Sequence, residues 1–242
     1  MGLILVLIVG LVAGIFSGIV GTGSSIMLVP VLATIYGPKA AVPIMAVAAV
    51  MANFSRILAW WRTVDWRAFA AYSITGAPAA FLGANTLLIL PSRAVDLTIG
   101  LFLISMIPIR HWLAARMIRL KLWHMALAGA IIGFLTGIVV STGPISVPVF
   151  LGFGLVKGAF LATEAASSLV IYVVKVLTFQ TSGALPWDLA LKGFITGFSI
   201  MAGTFIAKPF VLRLSPETFR HVMDGLMLIS GLTMIWNAVF AA

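Results

Sequence analysis

The sequence predicts an all-α integral membrane protein built from two internal repeats, with the second repeat inverted relative to the first. Hydrophobic residues make up 62% of the chain and charged residues only 9%, too few to cover a surface in water. The stretch from Gly10 to Pro30 returns as a diverged copy from Gly129 to Pro148. The basic residues, which set a net charge of +9, lie in short gaps between apolar runs rather than in one patch for nucleic acid. Each repeat is expected to hold about five membrane segments, including a broken or re-entrant helix at a glycine- and serine-rich motif.

The two copies share the spacing of their glycines and their Val-Pro ending. The aligned pairs are Gly10 with Gly129, Gly14 with Gly133, Ser17 with Thr136, Gly18 with Gly137, and Val29-Pro30 with Val147-Pro148. We assign residues 1–109 to the first repeat, 110–123 to a basic cytoplasmic linker and 124–242 to the second repeat, which together form one transmembrane domain. Internal symmetry of this kind is typical of secondary transporters.

Eight apolar segments follow one another along the chain, at about 3–35, 39–61, 66–90, 93–109, 122–155, 157–180, 187–212 and 218–241. A membrane span needs about 20 residues, whereas the first and fifth segments would make helices of roughly 50 Å against a hydrocarbon core of about 30 Å. Both segments must therefore break. The breaks are predicted where glycine permits a turn and hydroxyls can cap a helix, at Gly21-Thr22-Gly23-Ser24-Ser25 and at Ser141-Thr142-Gly143-Pro144.

Short helices are predicted after the breaks, at about 25–36 and 144–153. Ser24 or Ser25 is expected to cap the first of them, and Pro144 suits the first turn of the second. Both helices are short for full spans, so each either crosses at a tilt or re-enters the membrane.

The basic residues favour a chain that turns back at each break. Turning back places eleven of them in the cytoplasm and three, Lys39, Arg93 and Lys192, outside, whereas a single crossing of each long segment places eight inside and six outside. Lysine and arginine concentrate in cytoplasmic loops. We therefore favour five segments per repeat and an inverted second repeat.

The ends of the segments carry the tryptophans and the histidines. The linker combines four basic residues with two tryptophans, and we interpret it as a short interfacial helix on the cytoplasmic face. Trp60, Trp61, Trp66 and Trp187 lie beside segment ends and are predicted to anchor them at the interface. The three histidines lack metal-ligand spacing and the chain has no cysteine, so we expect neither a metal site nor a cofactor.

Glu164, Lys175 and Arg56 lie well inside apolar segments, where a charge costs at least about 2.5–3.5 kcal/mol. Glu164 and Lys175 share one face of the sixth segment, about 16 Å apart along it, so they cannot pair directly. Arg56 occupies nearly the same position in its repeat as Lys175, so each half contributes one cation on an equivalent helix. The alternative is that the two cations extend to opposite membrane interfaces.

These features together predict an anion site. Two helix N-termini at the breaks, with free N–H groups and the positive ends of their dipoles, converge near the symmetry axis. The predicted substrate-binding residues are Gly21, Thr22, Gly23, Ser24, Ser25, Arg56, Ser141, Thr142, Gly143 and Lys175. Gly10, Gly14 and Gly18 are interpreted as helix-packing positions, and packing alone is the alternative for the glycines of the breaks.

The residues from Gly14 to Ser25, followed by Val29-Pro30 and by the second copy ending in Val147-Pro148, resemble the sulfite exporter TauE/SafE family of anion permeases. The resemblance covers essentially the whole chain in length, hydrophobic layout and duplication. The family usually has glycines at the positions of Ser24 and Ser25. The resemblance implies a multi-pass protein of the cytoplasmic membrane that moves small sulfur-containing anions, such as sulfite or organosulfonates.

The mechanism expected for such a permease is alternating access, with one repeat moving against the other around a site between the breaks. Glu164 is the candidate for proton coupling; the alternative is that it only hydrogen-bonds to Ser168 one turn away. A passive anion channel is the second hypothesis, because it shares the same basic pathway.

No catalytic motif of serine, histidine or aspartate is recognisable, so no catalytic residue is assigned and an enzyme is not expected. The expected partners are the lipid bilayer, a small anion and a coupling proton or ion. A homodimer is also allowed, and no nucleic acid is expected.

Overall fold

The computed structural model describes residues 2–20, 23–115, 119–207 and 216–240. Its α-helices are α1 (Gly2–Val20), α2 (Ser24–Tyr36), α3 (Pro38–Trp60), α4 (Trp66–Ile89), α5 (Ser92–Ala115), α6 (Leu122–Ile138), α7 (Gly143–Gly152), α8 (Lys157–Thr181), α9 (Trp187–Ala207) and α10 (Pro216–Phe240). A 3-10 turn at Trp61–Thr63 follows α3. These four ranges contain no strand, which confirms the predicted all-helical class for them.

The breaks predicted in the first and fifth apolar segments are confirmed. α1 ends at Val20 and α2 begins at Ser24, while α6 ends at Ile138 and α7 begins at Gly143. The ends of both short helices lie within one residue of the predicted positions. Pro144 is in the first turn of α7, as expected for a residue that has no N–H to offer the helix.

The capping prediction for α2 was wrong. Ser24 and Ser25 are the first two residues of the helix, and its N-cap is Gly23. No side chain bonds to the cap. Gly23 has a φ of 119°, a backbone conformation that glycine adopts readily because it has no Cβ. The backbone turn at the first break therefore depends on Gly23 and not on a serine hydroxyl.

The predicted interfacial helix in the linker is also not found among the described residues. Residues 110–115 continue α5, and residues 119–121 are not helical. The stretch Arg-His-Trp-Leu-Ala-Ala contains neither glycine nor proline, so nothing in it ends the helix that precedes it.

Among the residues that the structure describes, three helices are long and apolar enough to cross a membrane, and they cover Lys39–Thr63, Gly158–Thr181 and Trp187–Ile206. Large apolar side chains are also turned outward, and Ile74 and Ile89 are more than two thirds exposed. Contiguous apolar surface is unfavourable in water and favourable in hydrocarbon. These features identify a membrane protein.

The helices contact one another in a pattern that both halves share. α1 packs against α9 and α6 packs against α4, so the first helix of each half contacts the fourth helix of the other. α3 packs against α8, and α5 packs against α10. The principal contacts are therefore unchanged when α1 to α5 are exchanged with α6 to α10.

Glycines permit the closest of these contacts. A Cβ at Gly14 would collide with the backbone of Ile200 in α9, and a Cβ at Gly133 would collide with the backbone of Gly76 in α4. A Cβ at Gly10 would likewise collide with the side chain of Ser199 in α9. In lipid, helices associate largely through such close approach. The packing role predicted for Gly10 and Gly14 is thereby confirmed.

Candidate functional site

A polar cavity of about 30 Å³ lies between the two breaks. Gly23, Ser24 and Ser25 line it from the first break, and Ser141, Thr142 and Gly143 line it from the second. The other lining residues come from α1, α3, α6, α7 and α8, and are Ser17, Ala49, Ala52, Asn53, Arg56, Thr136, Ser146, Glu164, Ser168, Ile171 and Tyr172. Since a water needs roughly 10–15 Å³ on this scale, the cavity has room for about two.

The structure brings most of the predicted binding residues together around this cavity. Gly21 and Thr22 lie outside the described residues. Lys175 does not line the cavity, and its surroundings are different. The binding role of all these residues stays a prediction.

The first break supplies backbone donors. Ser24 and Ser25 are buried in the first turn of α2. The N–H groups of a first helical turn have no partner within their own helix. The N–H of Met27 donates to the carbonyl oxygen of Gly23 over 3.2 Å, so the N–H groups of Ser24 and Ser25 lie in the turn before this bond. The two serine N–H groups are therefore placed to serve a ligand.

The second break supplies fewer of them. Thr142 is the N-cap of α7, and its carbonyl oxygen accepts from the N–H groups of Ile145 and Ser146, each over 2.9 Å. The N–H of Gly143 makes only a long bond of 3.4 Å to Ser141 Oγ. Pro144 has no N–H. The second break therefore relies more on its hydroxyls.

Tyr172 connects the two breaks. Its hydroxyl donates to the carbonyl oxygen of Val140 over 2.9 Å and lies beside the hydroxyls of Ser25 and Ser141. Tyr172 is only 6% exposed, and it lies on α8 in the second half of the chain. Sequence analysis missed it, because a tyrosine in an apolar helix carries no pattern that separates a core side chain from a site side chain.

Arg56 and Glu164 form a buried ion pair in the cavity. Arg56 Nη1 lies 2.8 Å from Glu164 Oε2, and the two residues are 6% and 3% exposed. Arg56 Nη2 also donates to Asn53 Oδ1. The other carboxylate oxygen, Oε1, accepts from Ser168 Oγ over 2.9 Å and from Ser146 Oγ over 3.2 Å. Buried charges of this kind persist only when paired and hydrogen-bonded.

This network was only partly visible in the sequence. The hydrogen bond between Glu164 and Ser168, expected because one helical turn separates them, is confirmed. Asn53 and Ser146 were missed, and so was the pairing of Arg56 with a residue 108 positions away. One signal was available: two opposite charges that are both costly in a membrane are expected to seek each other.

Lys175 is fully buried in α8, but it binds the end of α6, which lies before the second break. Its Nζ donates to the carbonyl oxygens of Thr136 and Val139, over 2.6 and 2.8 Å. These carbonyls lie at the end of α6, where the last carbonyls of a helix have no partner in their own helix. The alternative that Arg56 and Lys175 extend to the membrane interfaces is wrong, because both are buried.

The arrangement therefore offers the donors that a small anion binds, although Glu164 occupies Arg56 in this structure. It combines a guanidinium, several hydroxyls and first-turn N–H groups around one cavity. No group of three or more His, Cys, Asp or Glu side chains that could hold a metal occurs in the part of the chain that the structure describes.

Comparison with known proteins identifies the family. The sulfite exporter TauE/SafE family matches the chain over residues 6–234, which is nearly its whole length. No curated protein and no solved structure matches it. The match includes both breaks and every lining residue of the cavity. The chain therefore belongs to the sulfite exporter TauE/SafE family of membrane transporters.

Proposed function

We propose that this protein is a secondary transporter of small anions, with sulfur-containing oxyanions or organosulfonates such as sulfite as its substrates. The observation that carries the proposal is the buried guanidinium of Arg56 in a polar cavity between two helix breaks. An ionisable residue that faces a cavity inside a membrane protein marks a substrate or ion pathway. The family supplies the substrate class.

The donors around the cavity suit an oxyanion. Oxyanions bind where N–H and O–H groups converge with a positive charge. The first turn of α2 offers the N–H groups of Ser24 and Ser25, and the second break offers the hydroxyls of Ser141 and Thr142. The small volume favours a compact anion over a long one.

Alternating access between two inverted repeats is the proposed mechanism. The principal helix contacts stay the same when the two halves are exchanged. This supports the mechanism, because two repeats related by a two-fold axis would make such contacts. The ion pair between Arg56 on α3 and Glu164 on α8 joins the two halves across the cavity. A movement of one half against the other would open or close this contact. A multi-pass placement in the cytoplasmic membrane goes with the proposal.

Counterflow in proteoliposomes tests the proposal. Vesicles with the purified protein are loaded with unlabelled sulfite and then diluted into a trace of labelled sulfite. A carrier exchanges the two and accumulates label transiently above equilibrium, whereas a passive channel lets label equilibrate without accumulation. We expect accumulation.

The matched controls are empty vesicles and the Ser105→Ala variant. Ser105 lies on α5 outside the cavity, and its exposed hydroxyl bonds only to the carbonyl of Phe102. That variant should behave as the unaltered protein does. Equilibration without accumulation would replace the carrier by a channel, and no sulfite flux together with no sulfonate flux would end the anion proposal.

A further inference from the structure

The described charged residues that line the cavity are Arg56 and Glu164, and they neutralise each other. In this state the cavity has no excess positive charge to attract an anion. A transporter of anions therefore has to change the charge of its site before or during binding.

Glu164 occupies the position that a substrate anion would take. Its carboxylate receives Arg56 Nη1 and the hydroxyls of Ser146 and Ser168, over 2.8, 3.2 and 2.9 Å. A carboxylate and a sulfur oxyanion use the same donors, since both accept charge-assisted hydrogen bonds through negatively charged oxygens. The side chain and the substrate thus compete for Arg56.

We infer that Glu164 is a built-in counter-anion for Arg56, and that the site takes one singly charged oxyanion together with one proton in preference to a doubly charged oxyanion. This rests on the proposed anion transport and specifies its coupling and its substrate charge. The proton goes to the Glu164 carboxylate when the anion takes over Arg56, and it leaves when the ion pair forms again. One proton and one monoanion carry no net charge together.

The proton is required because of burial. If an anion displaced an ionised Glu164 from Arg56, two negative groups would share one buried cavity. Glu164 is only 3% exposed to solvent. Burying a charge without its partner is strongly unfavourable, and protonation removes that penalty. The neutral acid can still hydrogen-bond to the two serine hydroxyls.

Among the described residues, Arg56 is the cation that contacts the carboxylate of Glu164. α7 has no titratable residue, and the titratable side chains of Tyr72 and Tyr172 lie near Glu164. Asp65, at the start of α4, binds the N–H groups of Arg67 and Ala68 with its carboxylate. Lys175, on the same helix, is engaged by two backbone carbonyls.

The preferred charge of the substrate follows from the charges of Arg56 and Glu164. With Glu164 neutral, the site carries one positive charge from Arg56. A monoanion balances it, whereas a dianion such as sulfate leaves one negative charge buried. The site is therefore predicted to select by charge among anions of similar size.

Methanesulfonate and sulfate test the inference, because they have the same number of non-hydrogen atoms and differ in charge. Methanesulfonate keeps its single charge over the whole working range, so any pH dependence of its binding comes from the protein. Binding to the purified protein is measured by titration calorimetry from acidic to alkaline pH. We expect methanesulfonate to bind better than sulfate, with an affinity that falls about tenfold per pH unit on the alkaline side because one proton is taken up per anion.

Glu164→Gln should bind methanesulfonate with no pH dependence and should retain that binding at alkaline pH. Asp188→Asn is the matched control, since it removes a carboxylate from an exposed pair with Lys192 and should keep the slope of the unaltered protein. If Glu164→Gln does not fold, uptake by the unaltered protein decides instead. Uptake should respond to a pH gradient and ignore a membrane potential.

A pH slope that persists in Glu164→Gln, equal affinity for sulfate and methanesulfonate, or uptake driven by a membrane potential would overturn the inference while leaving anion transport intact. Failure of both anions to bind at every pH, together with no sulfite counterflow, would overturn the proposed function as well.

Discussion

Arg56 on α3 and Lys175 on α8 are both buried cations, yet they bind different partners. Arg56 lines the cavity and pairs with Glu164. Lys175 binds the carbonyl oxygens of Thr136 and Val139 and does not line the cavity. Arg56 faces the cavity that we propose as the anion site, whereas Lys175 lies at the negative end of α6.

The difference follows from the two side chains. The planar guanidinium of Arg56 holds a carboxylate and the amide oxygen of Asn53 at once, as a fork of donors can. The ammonium of Lys175 is a compact point charge that fits between two carbonyls. α3 and α8 therefore each carry one buried cation, and the residue type determines what that cation binds.

Replacement of Arg56 should have the largest effect. Arg56→Gln leaves Glu164 buried without its cation, and removing one partner of a buried pair costs about 3–5 kcal/mol. We expect loss of anion binding and a lower unfolding temperature. The unfolding temperature should recover in part as the pH falls, because a protonated Glu164 needs no cation. Thermal unfolding at several pH values, with and without methanesulfonate, measures both effects.

The double variant Arg56→Gln with Glu164→Gln is the control. It removes both charges and should be more stable at alkaline pH than Arg56→Gln alone. Wild-type affinity for methanesulfonate in Arg56→Gln would show that Arg56 is not the binding cation.

Replacement of Lys175 should affect stability but not binding. Lys175→Met keeps an unbranched side chain one atom shorter and leaves two buried carbonyls without a donor, at about 1–3 kcal/mol for each unsatisfied group. The unfolding temperature should fall, and the folded fraction should bind methanesulfonate with unchanged affinity. Lys192→Met, at a half-exposed site with a surface partner, is the matched control and should change neither. Loss of binding in Lys175→Met at full folding would give both cations a role in the anion site.

The hydroxyls of the breaks should have the smallest effects. Ser25→Ala and Thr142→Ala each remove one donor, and a hydrogen bond contributes about 0.5–1.5 kcal/mol, or about 2- to 12-fold in affinity. Binding should weaken within that range while the unfolding temperature stays close to that of the Ser105→Ala control. If neither variant alters binding, the breaks serve helix packing alone.

Local patterns were sufficient to predict most of the fold. The length of two apolar segments predicted breaks, and their glycines located them at Gly23 and Gly143. The spacing of Gly10 and Gly14 predicted close packing. The capping of α2 was wrong, because serine and glycine both start helices and the sequence does not show which one turns the chain. The linker does not form a separate helix among its described residues, because no residue from 110 to 115 stops α5.

The sequence by itself determined the membrane class, the positions of the breaks, and the presence of two cations and one carboxylate at costly depths. These features depend on composition and local spacing, which can be read from each segment of the chain alone. Only the tertiary structure decided that Arg56 pairs with Glu164, that Tyr172 lies between Ser25 and Ser141, and that Lys175 turns to the end of α6. The physical reason is that a buried charge binds whichever partner the packing of distant helices brings within reach, and α3 meets α8 across more than a hundred residues of chain.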